Sequence, residues 1–434
     1  MGGTPLYAIA ITCLLVLVLL GLIRSPKRFA CFYFLFRPLV QPFAYNQYRL
    51  IGTLPLTGIF PVLLIVYVFF LTLFSRTRTF LPRNSVYLYL MLFFFVGSSF
   101  FSIDYFATIA WSLKFLTGVM MFILMYNNIK NEQDFMFFIK ALLYCSIVPM
   151  AFGYYQYIAG TGSAWKGEFY AGKRIDSFLG EYNAYGEFLC LIICSTIIWL
   201  ARETGKVKRA FVVLAFLSLI ISLVLSLNRG SWIALTFGLI IASLRFHRRI
   251  NLKWLIIGFT AIFLVFGTVM AERFQELEIK TEYGSKNTFE GRAMYWKKIF
   301  GLVLERPILG YGAGTAPIVL QRQLKAVSPP HNDYLLLWFE CGFFTVLTYI
   351  LFLAANALFF LTRRNNLIII NYGLSAACCY FMVISVVQNI IMNVTVFPMF
   401  LGLVGAGLKL NALAGATSHA KVELTPAGQL GTGN

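Results

Sequence analysis

AFVVLAFLSLIISLVLS, residues Ala210–Ser226, contains no charge, proline or glycine. An α-helix of this length is about what is needed to cross a hydrocarbon layer ~30 Å thick. The turn Leu227-Asn228-Arg229-Gly230 follows, and a second apolar run begins at Ser231 and ends at Arg245. Outward from this pair the pattern repeats. Comparable runs lie near 50–74, 85–103, 108–126, 135–158, 184–201, 254–271, 333–361, 367–389 and 394–411. Upstream are an apolar run at 6–23, read as a retained helix because no small-residue cleavage site follows it, and a mixed segment at 29–48. The ~10-residue alternation of barrel strands is absent. The expected fold is all-α: a polytopic helical membrane protein with about 12 spans (11–13).

Composition excludes the soluble classes. Of 434 residues, 59% are hydrophobic and only 12% are charged. The net charge of +19 does not indicate nucleic acid, because the Lys and Arg residues sit in short loops between apolar runs. Arg76/Arg78/Arg83, Lys130, Arg202/Lys206/Lys208/Arg209, Arg245/Arg248/Arg249/Lys253 and Arg363/Arg364 form that series, which the positive-inside rule assigns to the cytoplasm. Alternating with it are the turn at 103–105, the loop 159–183, the turn at 228–230 and the long loop 271–330, all assigned to the non-cytoplasmic side. The eight cysteines lie in or beside apolar runs without metal-ligand spacing and read as small buried hydrophobes. Residues 1–410 are expected to form one integral membrane domain. The Gly- and Ala-rich stretch 411–434 is expected to be a disordered cytoplasmic tail.

The loop 271–330 is too long for a plain connection. Between Gly291 and Glu305 its apolar residues recur at helical spacing beside Trp296, Lys297 and Lys298, which suits a helix lying on the bilayer surface. Pro307 ends that helix, Gly310-Tyr-Gly-Ala-Gly314 makes a turn, and a second short helix is expected at 316–325. The loop closes on Pro329-Pro330-His331-Asn332-Asp333-Tyr334.

Of three histidines, His247 sits in a basic cluster and His419 in the tail, which leaves His331 as the candidate catalytic base. Its neighbour Asn332, or Asp333, suits a helix N-cap. Arg174, Arg229 and Arg292 place positive charge on the face that the positive-inside rule leaves unexplained. The planar guanidinium binds phosphate oxygens in pairs and stays charged, so three arginines on one face suit a lipid diphosphate. Lys114 lies in an apolar run near its outer end, where snorkelling accounts for it. Glu340, nine residues past His331, is a weaker candidate for a supporting acid or base.

Four segments resemble the O-antigen ligase and O-antigen polymerase superfamily of bacterial inner-membrane glycosyltransferases. These are Arg174-Ile-Asp-Ser-Phe-Leu-Gly-Glu-Tyr-Asn183; Asn228-Arg229-Gly230-Ser-Trp232, with Asn228 where the family usually has Ser; Gly291-Arg292 through Trp296 with Pro307–Gly314; and Pro330-His331-Asn332-Asp-Tyr-Leu through Glu340-Cys-Gly342. They occur in the family's order, whereas residues 1–170 share only hydropathy with it. The resemblance implies a glycan donor on undecaprenyl diphosphate, presented at the periplasmic face of the inner membrane. It also implies a glycan or lipid A–core acceptor, and no nucleotide sugar, metal or other cofactor. Arg229 and Arg292, with Arg174 as a third, would then hold the diphosphate. His331 would activate the acceptor hydroxyl for inverting attack, with Asn332, Asn183 and Glu340 as candidate supporting residues; Lys114, outside the matching segments, is a supporting candidate only by its place in an apolar run. Ligase and polymerase use the same donor chemistry and stay undivided at this level. The rival reading is a polysaccharide flippase or other transporter, which predicts inverted repeats and broken helices at mid-membrane; the sequence shows no such repeat.

Overall fold

The computed structural model describes residues 25–40, 49–51, 54–74, 82–162, 174–246, 267, 288–325, 328–363 and 365–423. Fourteen helices account for most of them: α1 (Pro26–Val40), α2 (Leu56–Phe74), α3 (Val86–Gly97), α4 (Tyr105–Asn128), α5 (Glu132–Ala159), α6 (Tyr182–Arg202), α7 (Lys206–Leu225), α8 (Arg229–Phe246), α9 (Thr288–Glu305), α10 (Ala316–Leu324), α11 (Asp333–Cys341), α12 (Phe343–Thr362), α13 (Ile368–Val387) and α14 (Val396–Glu423). A minimal ladder, Arg49–Ile51 with Leu54–Pro55, is the sole strand pairing among the described residues. Helix starts follow local capping chemistry. The Asp104 carboxylate accepts from Ala107 N at 2.9 Å, and the Asn131 side chain from Asp134 N at 2.9 Å, satisfying amides that a helix start leaves open. Gly160 closes α5 in the left-handed conformation.

Eight helices among the described residues are long and apolar enough to cross a membrane: α3 with its flanking 3-10 turns, α4, α5, α6, α7, α12, α13 and the first part of α14. In α2 the apolar stretch is shorter, Phe60–Leu73, and α8 carries Arg229 and Arg245 near its two ends. The segment 6–23 lies outside the described residues, as does all of 254–271 except residue 267. The protein is a polytopic helical membrane protein. Large apolar side chains face outward along the bundle, among them Phe93, Phe106, Ile158 and Leu244. In water such a surface would be a liability, and in a bilayer it is the solvent-facing side.

The interior is held by close backbone approach and aromatic packing. Phe381 of α13 stacks on Phe400 of α14 with centroids 3.6 Å apart. Gly238 of α8 lies so near α13 that an added Cβ would meet the Ala376 carbonyl at 2.8 Å. Small residues let membrane helices pack in this way. The two ends of the bundle are distinguished by their contacts. At one end Arg202 pairs with Glu132 at 2.9 Å, Lys27 pairs with Asp134, and Arg245 donates to the Leu361 carbonyl. Arg202 and Arg245 belong to the basic loops of the alternating series. At the other end the turn at 102–104 meets the Gly-rich turn, where Ile103 N donates to Tyr311 O at 3.1 Å and Ala313 N to Ser98 Oγ at 3.2 Å.

Two expectations need correction. The run 333–361 is not one helix: it breaks at Gly342, whose φ of +83° leaves α11 too short to cross. A side chain there would collide with the Ile308 carbonyl. The break lets Phe343 N donate to Pro307 O at 2.9 Å, so the long loop is stitched to the base of α12. The second concerns the C-terminal boundary. α14 continues past Asn411 to Glu423, whereas residues 424–434 lie outside the described part.

The Gly-rich turn has no room for side chains. Gly314, at φ +74°, sits against the Trp111 indole, which an added Cβ would overlap. Gly314→Ala should therefore destabilise the protein by about 2–4 kcal/mol, from left-handed strain plus overpacking. Gly301→Ala, in α9 with open space around it, should be neutral or stabilising by up to ~1 kcal/mol. Thermal unfolding of the two variants in detergent checks the contrast, and equal shifts would refute it.

Candidate active site at the polar end of the bundle

The surface helix α9 holds the histidine loop in place. Arg292, Tyr295 and Trp296 lie three and four residues apart, on one helix face. The Trp296 indole donates to Pro330 O at 2.6 Å, and the Tyr295 hydroxyl donates to Ser328 O at 2.5 Å. His331 follows directly, with φ +50° and its Nε2 3.3 Å from Ser328 Oγ. Asn332 then caps α11, its side-chain oxygen accepting from Leu335 N at 3.0 Å. This local order is what the sequence spelled out: a proline pair, a turn, a cap and a helix.

Arg292 turns toward the C-terminal end of α13, where its Nη1 donates to Val387 O at 3.3 Å. Gly230, next to Arg229, packs on the Val387 side chain. Gln388 donates to Asn183 Oδ1 at 3.0 Å, and Asn228 donates to the Asn183 carbonyl at 3.2 Å while also accepting from Ser231 N. Arg174, only 2% exposed, lays its guanidinium on the Tyr182 ring with Cζ 3.9 Å from the centroid. Tyr182 is in turn within electrostatic reach of Arg292. Four segments distant in sequence (174–183, 228–230, 291–296 and 328–333) thus meet around residues 387–389.

Electrostatics mark the same place. Burial pushes the His331 imidazole down to about 4, and the neighbouring Arg292 charge adds to the shift. Burial also works against the charge of Arg292, while Tyr182 acts the other way. Behind His331, Asp333 is fully buried; its carboxyl rises to about 7 through burial, opposed by hydrogen bonds from Ser385 and from the Ile391 amide. An unprotonated imidazole beside a half-buried guanidinium is a pairing that can accept a proton and attract an anion.

Two sequence candidates point elsewhere. Glu340 is buried and its Oε1 accepts from Ala316 N at 3.0 Å, with Gly314 N also bonded to it, so it braces the Gly-rich turn. Burial raises it to about 7. Lys114 lies over the Trp111 ring at 4.1 Å and shares with Glu340 a small cavity of about 20 Å³, space for roughly one water. Sequence reading missed Tyr182, Asp333, Gln388 and Asn393. The available signal was the polar run Gln388-Asn389…Asn393 between two spans, where amides are costly unless paired. Among the described residues no three His, Cys, Asp or Glu side chains are grouped to hold a metal.

An apolar groove of about 510 Å³ opens beside this site. It begins at Asn332 and Tyr334, passes Trp296, Phe300 and Trp338, and runs along Phe343, Leu347 and Ile350 of α12. Lys297 stands on its wall. The groove therefore joins the histidine turn to a face of a membrane-crossing helix.

No curated protein matches the chain. Residues 213–350, which include Arg229, Arg292 and His331, match the model of a family described as O-antigen ligase.

Proposed function

We propose that this protein is an inner-membrane glycosyltransferase of the O-antigen ligase or polymerase type, taking its glycan from undecaprenyl diphosphate and working at the periplasmic face. The observation that carries the reading is the meeting of Arg292 and His331 with the segments of Arg174 and Arg229 around Val387. The groove along α12 supports a donor with a long apolar tail: it leads from Asn332, next to His331, to lipid-facing side chains.

In this mechanism Arg229 and Arg292, with Arg174 behind them, hold the diphosphate. His331 takes the proton from the acceptor hydroxyl as the oxygen attacks the anomeric carbon opposite the diphosphate. The carbon–oxygen bond to phosphate breaks with its electron pair on the diphosphate oxygen, so configuration inverts. The guanidinium groups stabilise the charge that develops there. No step calls on a metal or a nucleotide sugar. The acceptor is a glycan, either on a second lipid carrier or on lipid A–core.

The test is reconstitution of purified protein with undecaprenyl-diphosphate glycan and each acceptor. Extended product together with released undecaprenyl diphosphate supports the reading, whereas glycan translocation without bond formation refutes it. His331→Ala should lower transfer by about 100- to 10,000-fold while leaving donor affinity near wild type; a parallel loss of binding would argue against a base role. Arg229→Lys keeps the charge but loses the paired geometry, and donor binding should weaken about tenfold, ~1.4 kcal/mol.

A pH profile checks the electrostatics. The acidic limb marks protonation of the base, so activity falls as pH drops through its pKa. In kcat/KM, which reports the free enzyme, that limb should lie near 4, well below an ordinary histidine. In kcat it should move upward, because bound diphosphate offsets the Arg292 charge that depresses the imidazole. A kcat limb at or below the kcat/KM limb would contradict this coupling.

A further inference from the structure

The stretch between α13 and α14, residues 388–395, lies outside the family match and outside all four motif segments, yet each of those segments is fastened to it or to the last turns of α13. Gln388 holds Asn183, Val387 receives Arg292, and Gly230 packs on Val387. Asp333 fastens the histidine turn. Its Oδ2 accepts from Ser385 Oγ at 3.0 Å and from Ile391 N at 3.2 Å, and Ser385 is bonded in turn to the Tyr349 hydroxyl at 2.8 Å.

We propose that Asp333 is a positioning residue that sets the separation between the His331 imidazole and the Arg292 guanidinium. This rests on the transferase reading above. The path is short and closed. From His331 it runs two residues to Asp333, across a hydrogen bond to Ser385, two residues to Val387, and across a second hydrogen bond to Arg292. Trp296, one turn from Arg292 on the same helix, returns to Pro330 and completes the ring.

A simpler role for an acid at this position is to favour the α11 helix dipole. That role asks for no burial, and the capping position is already filled by Asn332. Burying a carboxyl at 0% exposure is costly unless it is hydrogen-bonded, and here the bonds run to a different helix and to the chain beyond it. Glu187 of α6 lies within electrostatic reach of Asp333. It is engaged separately by Asn393 Nδ2 at 2.8 Å, which ties α6 to the same stretch. Tyr334 and Tyr349 are the other titratable groups beside Asp333.

The test uses the full chain in nanodiscs, with the transfer assay, binding of undecaprenyl diphosphate and thermal unfolding measured on the same preparations. Asp333→Asn keeps one acceptor oxygen and turns the other, which faces the Ile391 N–H at 3.4 Å, into a donor. It should lower kcat about 10- to 100-fold, the scale of a ~1 Å misplacement, with undecaprenyl diphosphate affinity within about twofold. Gln388→Ala, at the opposite end of the stretch, should instead raise the donor KM with a smaller change in kcat. A merely structural role would lower the apparent kcat only in proportion to folded protein and leave KM unchanged. Should Asp333→Asn fail to fold, Ser385→Ala removes one donor and keeps the acid, and a several-fold fall in kcat is expected. A folded Asp333→Asn or Ser385→Ala with wild-type kcat overturns the assignment. Wild-type protein that binds no undecaprenyl diphosphate and transfers no glycan would sink the transferase reading itself, and this inference with it.

Discussion

The hydrogen bond from Arg292 to the carbonyl of Val387 joins the two parts of the molecule on which everything else depends. One part is a bundle built for hydrocarbon. The other is a polar layer of loops and short helices laid over one end of it. Where α13 stops, its last carbonyls lose their helical partners, and inside the packed protein each needs another donor. A buried guanidinium is one way to satisfy such a carbonyl, so the end of a spanning helix becomes the anchor for a cationic side chain from the surface helix. The same argument accounts for the amides at Gln388 and Asn393, which bond to Asn183 and Glu187 of α6.

From that anchor the site follows by successive constraint. Arg292 fixes the rotation of α9, whose Trp296 and Tyr295 then hold the chain on either side of Pro329. The histidine turn enters α11 through the Asn332 cap, and α11 ends at Gly342 because the Ile308 carbonyl occupies the space a side chain would need. Glu340 and the glycines at 310, 312 and 314 lock this layer to the turn at 102–108. Rigid support of this kind is what an electrostatic site requires, since guanidinium groups stabilise a developing charge only if they need not move to meet it.

Burial has a chemical consequence as well as a structural one. The same desolvation that disfavours charge on Arg292 keeps His331 neutral. A neutral imidazole accepts a proton, and a desolvated guanidinium gains more from a diphosphate than an exposed one does. The imidazole and the guanidinium are therefore tuned by one environment. The adjoining groove shares that layer through Trp296 and Asn332, so an apolar tail and a charged headgroup would be bound by neighbouring residues.

Hydropathy alone determined that the chain is a helical membrane bundle, because a bilayer admits few ways to pair a backbone. Runs of apolar residues between basic loops identified α4 to α8 to within a few residues, and periodicity located α9. Local chemistry also marked the histidine turn, since a proline pair, a cap and a helix start are short-range features. Gly342 was different: nothing nearby in sequence says that Ile308 will stand against it, so 333–361 read as a single helix. Glu340 likewise read as a candidate supporting acid or base, although its carboxylate accepts from the amides at 314 and 316, fixed by how the loop folds back. The contribution of residues 385–393 was decided only by tertiary structure. Hydrogen bonds between groups some fifty to two hundred positions apart, such as Asp333 to Ser385 and Gln388 to Asn183, have no periodicity to betray them, and they exist because an apolar interior forces the few polar groups inside it to find one another.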